Sequence, residues 1–412
     1  MSLLILNHYS PNKGDRAMLY FILRELQRFG INNSTVSCSA PEMTRSWLQP
    51  GESQGIRLVP WGWSPYWSGR SLCFTKQDWR SWGLWIRSKI IRELACGSPR
   101  IPRIGIVCDG SFSKALRQSH AVISTGGHHV STLVQDNAFC CQVYDMALTL
   151  LAGKPLVLWS QTIGPFKFSH LESKRLVQTV LQKAAEIWVR DEGSIADMES
   201  IDVVRDIAKT YDSVFGLNDA LSDYTPPNQR EAIAGIAVYT RPGCSKDLYV
   251  QTLARLADFL LQEELSVRFF PMEVKGSAGD DRSLIDEVLE HVKNPSACQI
   301  VDRDLHPLEH LNEVAKCRLF IGHKTHSVIF ALTAGTPLVA LAYHRKTQDF
   351  MDQFGLSRFC VPDLELCEND LLQRTSNLLN ELDATAEQIH ARAAEIGQHV
   401  RDGFRSILQR WK

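Results

Sequence analysis

Residues 317–350 read CRLFIGHKTHSVIFALTAGTPLVALAYHRKTQDF, and the order of apolar and polar runs in this stretch decides the fold class. Residues 319–322 read as a short buried strand, 323–325 as a tight turn, and 326–334 as a helix stopped by Gly335 with Pro337 just beyond. Residues 338–343 form the next strand, which delivers His344, Arg345 and Lys346 to the sheet edge that also carries Lys324. Strand, helix and strand without a hairpin turn make the repeating unit of a parallel sheet covered by helices. Cations at two neighbouring strand ends, beside a helix N-terminus with free N–H groups, form a candidate anion pocket. A histidine at a helix start is more often a cap or a packed residue, but Lys324 and Lys346 on either side make His326 a functional candidate.

The same alternation extends in both directions. Residues 3–6 are an apolar strand, 7–14 a polar loop, and Leu19, Ile22, Leu23 and Leu26 recur at helical spacing. Strand-like runs return at 121–124, 156–160 and 187–189, then at 235–239, 267–271 and 319–322, with a helix expected over 248–261. The segment DYTPPNQREA at 223–232 interrupts the periodicity and marks a domain boundary. The expected architecture is α/β, with two Rossmann-like domains, 1–226 and 227–385, facing across a cleft where loops at the strand ends converge. Ile389, Ala393, Ile396, Val400, Phe404, Ile407 and Trp411 line one face of a long helix, so residues 386–412 form a third element.

Composition limits the function classes. The chain has 412 residues, 45 Lys+Arg against 46 Asp+Glu, 44% hydrophobic and 22% charged residues, so it buries full cores and carries no basic excess for a nucleic-acid backbone. Nucleic-acid partners are therefore not expected, and any anion site must be local. No run of about 18 apolar residues and no basic leader occurs, which gives a cytoplasmic expectation. Eleven cysteines without a CxxC pair read as reduced, mostly buried thiols, with no structural metal and no cofactor expected.

Other loops add candidates. STGGHHVSTLVQDN at 124–137 carries Gly126 and Gly127, which would let backbone approach a ligand, and His128. WVRDEGSI at 188–195 places Arg190 past a strand, with a surface ion pair to Asp191 or Glu192 as the bland reading. VYTRPG at 238–243 places Arg241 similarly. Seven of the ten tryptophans lie between Trp47 and Trp85, mixed with Arg and Lys. Such a stretch suits sugar stacking or peripheral contact with a membrane face, and local aromatic packing is the simpler reading of it.

Taken in order, the NHYSPNKGD loop, TGGHH, QTIGPF, VRDEGS, TYDSVFGL, FFPMEVKGSAGDD and the 322–350 segment resemble the polysaccharide pyruvyl transferase family. The resemblance covers about residues 5–355. It implies a GT-B-like fold whose last helix crosses back to the N-terminal domain. It also implies transfer of the enolpyruvyl carbons of phosphoenolpyruvate onto two hydroxyls of a saccharide or lipid-linked glycan, as a pyruvate ketal. By position, the family's characteristic Arg falls on Arg190, the His of its R-x-H motif on His326, and a lysine after the second-domain Tyr strand on Lys346. Two departures stand out: Lys324 replaces the Arg of R-x-H, and His128 replaces the third residue of the usual Gly triplet.

Phosphoenolpyruvate carries a carboxylate and a phosphate, so a pocket for it needs several fixed cations, for which Arg190, Arg241, Lys324 and Lys346 are the candidates. The proton donor should titrate near working pH, which favours His326. Asp15, Asp136 or His128 could serve as base, although Asp15 is as well placed to cap the first helix, and Asp280 or Asp281 to cap the helix after them. Two alternatives remain: a GT-B glycosyltransferase with a nucleotide-sugar donor, and a non-catalytic glycan-binding protein. The sequence leaves acceptor identity, ketal stereochemistry and oligomeric state open.

Overall fold

The computed structural model describes residues 1–49, 51–62, 108–132, 141–168, 171–221, 224–239, 245–273, 280–301, 304–343, 345–362 and 367–411. The chain divides into two compact units. Unit 1 comprises residues 1–10, 18–212 and 402–412, and unit 2 residues 11–17 and 213–401.

The described elements of unit 1 are β1 (Leu3–His8), α1 (Lys13–Arg28), β2 (Ser34–Cys38), α2 (Pro41–Trp47), β3 (Ile56–Pro60), α3 (Gly110–Gln118), β4 (Ala121–Ser124), β5 (Gly127–Val130), α4 (Cys141–Leu151), β6 (Leu156–Ile163), α5 (Leu171–Lys183), β7 (Glu186–Val189), α6 (Gly193–Glu199) and β8 (Ala208–Lys209). The first turn of α1 is grouped with unit 2. The strands run in the order β3-β2-β1-β4-β6-β7-β8, with β5 beside β6, and every pairing is parallel. Strands buried on both faces read as continuous apolar runs, which is why LLIL in β1 and LVLW in β6 do not alternate.

Unit 2 contains β9 (Ile233–Ile236), α7 (Lys246–Gln262), β10 (Ser266–Phe269), α8 (Asp281–Leu289), β11 (Cys298–Ile300), α9 (Pro307–Ala315), β12 (Leu319–Gly322), α10 (Thr325–Thr333), β13 (Leu338–Ala342), α11 (Arg345–Gln353), β14 (Cys360–Pro362), α12 (Glu368–Leu379) and α13 (Leu382–Arg410). Its strand order is β11-β10-β9-β12-β13-β14, again parallel throughout. Counted from β9, this is the doubly wound order 3-2-1-4-5-6, whose direction reverses between β9 and β12. The carboxyl ends of β9, β12 and β13 therefore share one edge, the place where such sheets bind ligands. The helix expected over 326–334 runs one residue earlier, from Thr325 to Thr333.

The proline-bearing segment at 224–232 lies inside unit 2, ahead of β9, and the units change at Asp212/Ser213. The reason is local: the 3-10 turn Ser213–Ala220 is largely buried and groups with unit 2. The long final helix starts in unit 2, where Ala393 O accepts from Asn218 Nδ2 at 2.8 Å, and its last turns belong to unit 1. There Phe404 packs on Phe21 and Trp159 with ring centroids 5.5 and 5.0 Å apart, and Arg405 pairs with Glu25 at 2.8 Å. The thiols of Cys38, Cys108, Cys317 and Cys360 are buried, while Cys367 is exposed. Trp63 to Trp85 fall outside the described residues, as do Asp136, Arg241 and His344. Among the described residues no helix is long and apolar enough to cross a membrane.

Phe404→Ala deletes a fully buried ring from this aromatic cluster and is expected to cost about 3–5 kcal/mol. Urea unfolding followed by tryptophan fluorescence checks this, because Trp159 contacts Phe404 directly. A loss below about 1 kcal/mol would mean that the helix end is not docked.

Candidate functional site

In unit 2 the segment 11–17 is joined to the loop after β10. Lys13 N donates to Met272 O at 3.0 Å, and Asn12 forms an isolated antiparallel bridge with Glu273. Asn12 Oδ1 accepts from the N–H groups of Gly14 (2.8 Å) and Asp15 (3.3 Å). Asn12 is thus the cap of α1, which corrects the reading of Asp15 as that cap. Asp15 instead sits in the first turn, where a carboxylate complements the helix dipole.

His326 occupies the first turn of α10, one residue beyond the helix start. Its ring lies against Gly14 so closely that a Cβ built there would overlap the imidazole and approach His326 Cβ to 2.5 Å. Only glycine leaves room for this histidine. The constraint was invisible in the sequence, because residues 14 and 326 are far apart in the chain.

Lys324 departs from its expected role. A cation open to an anion was expected, but its Nζ is held by Asp281 at 2.8 and 3.0 Å and by Glu273 at 3.3 Å, and all three side chains are about nine-tenths buried. Asp281 Oδ2 also accepts the N–H groups of Met272 and Glu273, both at 2.8 Å. Asp280, next to it, caps α8 by accepting from Arg282 N, as one of the two readings of that pair had it. Lys346 lies in the first turn of α11 and is half-buried, so it is helical where a loop was expected.

His323 follows β12 directly and lies inside a group of tyrosines. Its Nδ1 shares a 2.8 Å hydrogen bond with Tyr249 Oη, and its ring is 5.5, 5.2 and 5.9 Å from those of Tyr239, Tyr249 and Tyr343. Sequence reasoning passed over this group, although Tyr239 and Tyr343 both lie in the loops that follow β9 and β13.

Lys13 and Arg16 were also missed. Arg16 pairs with Asp304 at 2.5 Å, whereas Lys13 is 2% exposed and its Nζ has no hydrogen-bond partner among the described residues. Burial lowers the Lys13 pKa to about 8; Asp304 and Asp281 oppose this, and Arg16 and Arg282 add to it. His310 is fully buried, and burial together with Lys13 and Arg16 keeps it well below the ordinary histidine range.

In unit 1, Arg190 is buried, not on the surface. Its Nη1 pairs with the fully buried Asp212 and its Nε donates to Thr162 Oγ1 at 2.9 Å. Neither Asp191 nor Glu192 is its partner: Asp191 accepts from Ser194 N at 2.9 Å, and Glu192 pairs with Lys209 at 2.8 Å. Gly126 and Gly127 are closely packed by their own chain. A Cβ on Gly126 would lie 3.0 Å from Met18 Sδ, and Gly127 has φ +131° with His129 against it. His128 Nε2 is hydrogen-bonded to Gly164 O, so that nitrogen is engaged within the fold and is not open as a base.

Arg190, Gly126, Gly127 and His128 thus belong to unit 1, and Asp15, Lys324, His326 and Lys346 to unit 2. The polysaccharide pyruvyl transferase family matches residues 12–345. The chain belongs to this family. A relative by sequence, the amylovoran biosynthesis protein AmsJ of Erwinia amylovora, is 23% identical over 301 residues, 69% of this chain and 71% of its own. Among solved structures, MnaA of S. aureus in complex with UDP aligns with TM-score 0.59 at 10% identity over 97% of this chain and 96% of its own. HepE of Anabaena in complex with UDP-glucose aligns with TM-score 0.55 at 13% identity over 99% of each chain. These likenesses and the two parallel sheets identify a GT-B-like fold for this pyruvyl transferase family member.

Two outcomes follow for the unit 2 site. Gly14→Ala must displace the His326 ring; a histidine NMR resonance shift with the fold intact is expected, and an unmoved resonance would refute the contact. Lys13 releases its proton near pH 8 when folded but near 10.5 when unfolded, so the unfolded chain holds more protons in between. Stability contributed at this position therefore rises from pH 8 to 10.5, and Lys13→Met should remove that rise in urea titrations compared with wild type.

Proposed function

We propose that this chain transfers the enolpyruvyl group of phosphoenolpyruvate onto two hydroxyls of a glycan sugar, forming a pyruvate ketal and releasing phosphate. The observation that carries the reading is His326. It is the one imidazole that the family resemblance assigns a role, and it is mounted on Gly14 at the sheet edge beside the switch point of unit 2.

The chemistry sets what His326 does. A proton passes from the imidazolium to the methylene carbon of the donor, and the adjacent carbon becomes electron-poor. One sugar hydroxyl adds there and gives up its proton to a base, for which Asp15 is the described candidate. The C–O bond to phosphate then breaks, phosphate leaves with its electron pair, and the second hydroxyl closes the ring with loss of its own proton. One diol and one phosphoenolpyruvate thus yield one ketal and one phosphate, with no change in oxidation state.

Lys346 is the donor-binding cation of this reading, together with Arg241. Lys324 and Arg190 act through structure, since their charges are already neutralised by Asp281, Glu273 and Asp212. The amylovoran role in the relative's name supports a polysaccharide acceptor. A protein working at the cytoplasmic face of a membrane on lipid-linked glycans fits the same reading.

The test is incubation with phosphoenolpyruvate and a panel of pyranosides, scoring phosphate release and ketal mass, with UDP-sugars as the competing donors. His326→Ala is expected to lower acceptor-dependent phosphate release at least about 100-fold, within the usual worth of a positioned acid. Near-wild-type turnover of that variant, or product only from UDP-sugars, would overturn the reading.

A further inference from the structure

We propose that Lys13 and His310 form a buried oxyanion site beside His326, in which the Lys13 ammonium takes the phosphate of the donor before transfer and inorganic phosphate after it. The inference rests on the functional reading above, and it gives a role to Lys13, which lies in the NHYSPNKGD loop but was given none there.

Three observations carry it. First, position: Gly14 touches His326, and Lys13 is the preceding residue. His310 packs its ring on Phe330 at 4.7 Å, and Phe330 lies one turn beyond His326 on the same face of α10. The positive charge of Lys13 is also among the influences that hold the His310 pKa down.

Second, charge. Arg16 is committed to Asp304, and Lys324 to Asp281 and Glu273. Lys13 makes no ion pair within 4 Å among the described residues, although the carboxylates of Asp304 and Asp281 act on it from farther off. Third, unmet hydrogen bonding: Lys13 Nζ, His310 Nδ1 and His310 Nε2 are all buried without a hydrogen-bond partner among the described residues.

Buried polar groups are almost always hydrogen-bonded, and an unpaired buried ammonium is strongly unfavourable. A tetrahedral oxyanion offers several acceptors to the three ammonium hydrogens and to one imidazole N–H, and it supplies a directly paired negative charge where Asp304 and Asp281 act only from a distance. A neutral ligand would answer the hydrogen bonds but not the charge. The chemistry therefore selects phosphate over a sugar hydroxyl at this point.

The experiment uses the full chain and calorimetry with inorganic phosphate, phosphoenolpyruvate and pyruvate on wild type, Lys13→Met and His326→Asn. Lys13→Met is expected to weaken phosphate and phosphoenolpyruvate binding roughly 10- to 100-fold, the worth of a hydrogen bond to a charged group, and to leave pyruvate unchanged. His326→Asn is expected to keep phosphate affinity within about threefold, because Lys13 remains. Unchanged phosphate and phosphoenolpyruvate affinity in Lys13→Met overturns the inference while leaving the pyruvyl reading intact. Lys13-dependent phosphate binding without any ketal product overturns that reading and leaves the anion site standing. If Lys13→Met does not fold, His310→Phe, which suits the slot between Phe270 and Phe330, carries the test, and wild-type phosphate affinity in it overturns the proposal.

Discussion

The Lys324 ammonium lies between the carboxylates of Asp281 and Glu273, and Asp281 spends its remaining acceptor capacity on the N–H groups of Met272 and Glu273. Three pieces of unit 2 meet in this network: the turn between β12 and α10, the loop after β10, and the start of α8. Charges this deep are tolerated only when fully paired, and removing one partner leaves the others uncompensated. The network therefore holds the carboxyl edge of the sheet in one arrangement. A compact lysine suits three convergent acceptors better than a planar fork does, which accounts physically for lysine where the family resemblance leads one to expect arginine.

Unit 1 solves the same problem with Arg190 and Asp212. In both units a cation that looks available in the sequence is neutralised by a carboxylate from a distant segment. Such residues are held in place by carboxylates and position strand ends. Lys13 is the opposite case, a cation to which sequence reasoning assigned no role and that the fold leaves without a hydrogen-bonding partner among the described residues.

Much of the architecture was legible because the periodicities are strong. The runs at 3–6, 121–124, 319–322 and 338–342 are buried strands, and their spacing by helices requires parallel pairing. The helix after β12 was legible to within a residue because Gly335 and Pro337 leave it no continuation. Strand β9 was less so: residues 235–239 looked extended, but the ladder to β10 and β12 ends at Ile236. The side-chain partners were not legible at all, since Asp281 precedes Lys324 by 43 residues and Asp212 follows Arg190 by 22.

By itself, the sequence determined the doubly wound α/β class, the placement of His326 at a helix start beside strand ends, and the long amphipathic final helix, because local periodicity and turn chemistry act over a few residues. Only the tertiary structure decided which cations are neutralised, why residue 14 must lack a side chain, and that the 11–17 segment joins unit 2. Burial and pairing depend on which segments meet in space, and no local pattern records that meeting.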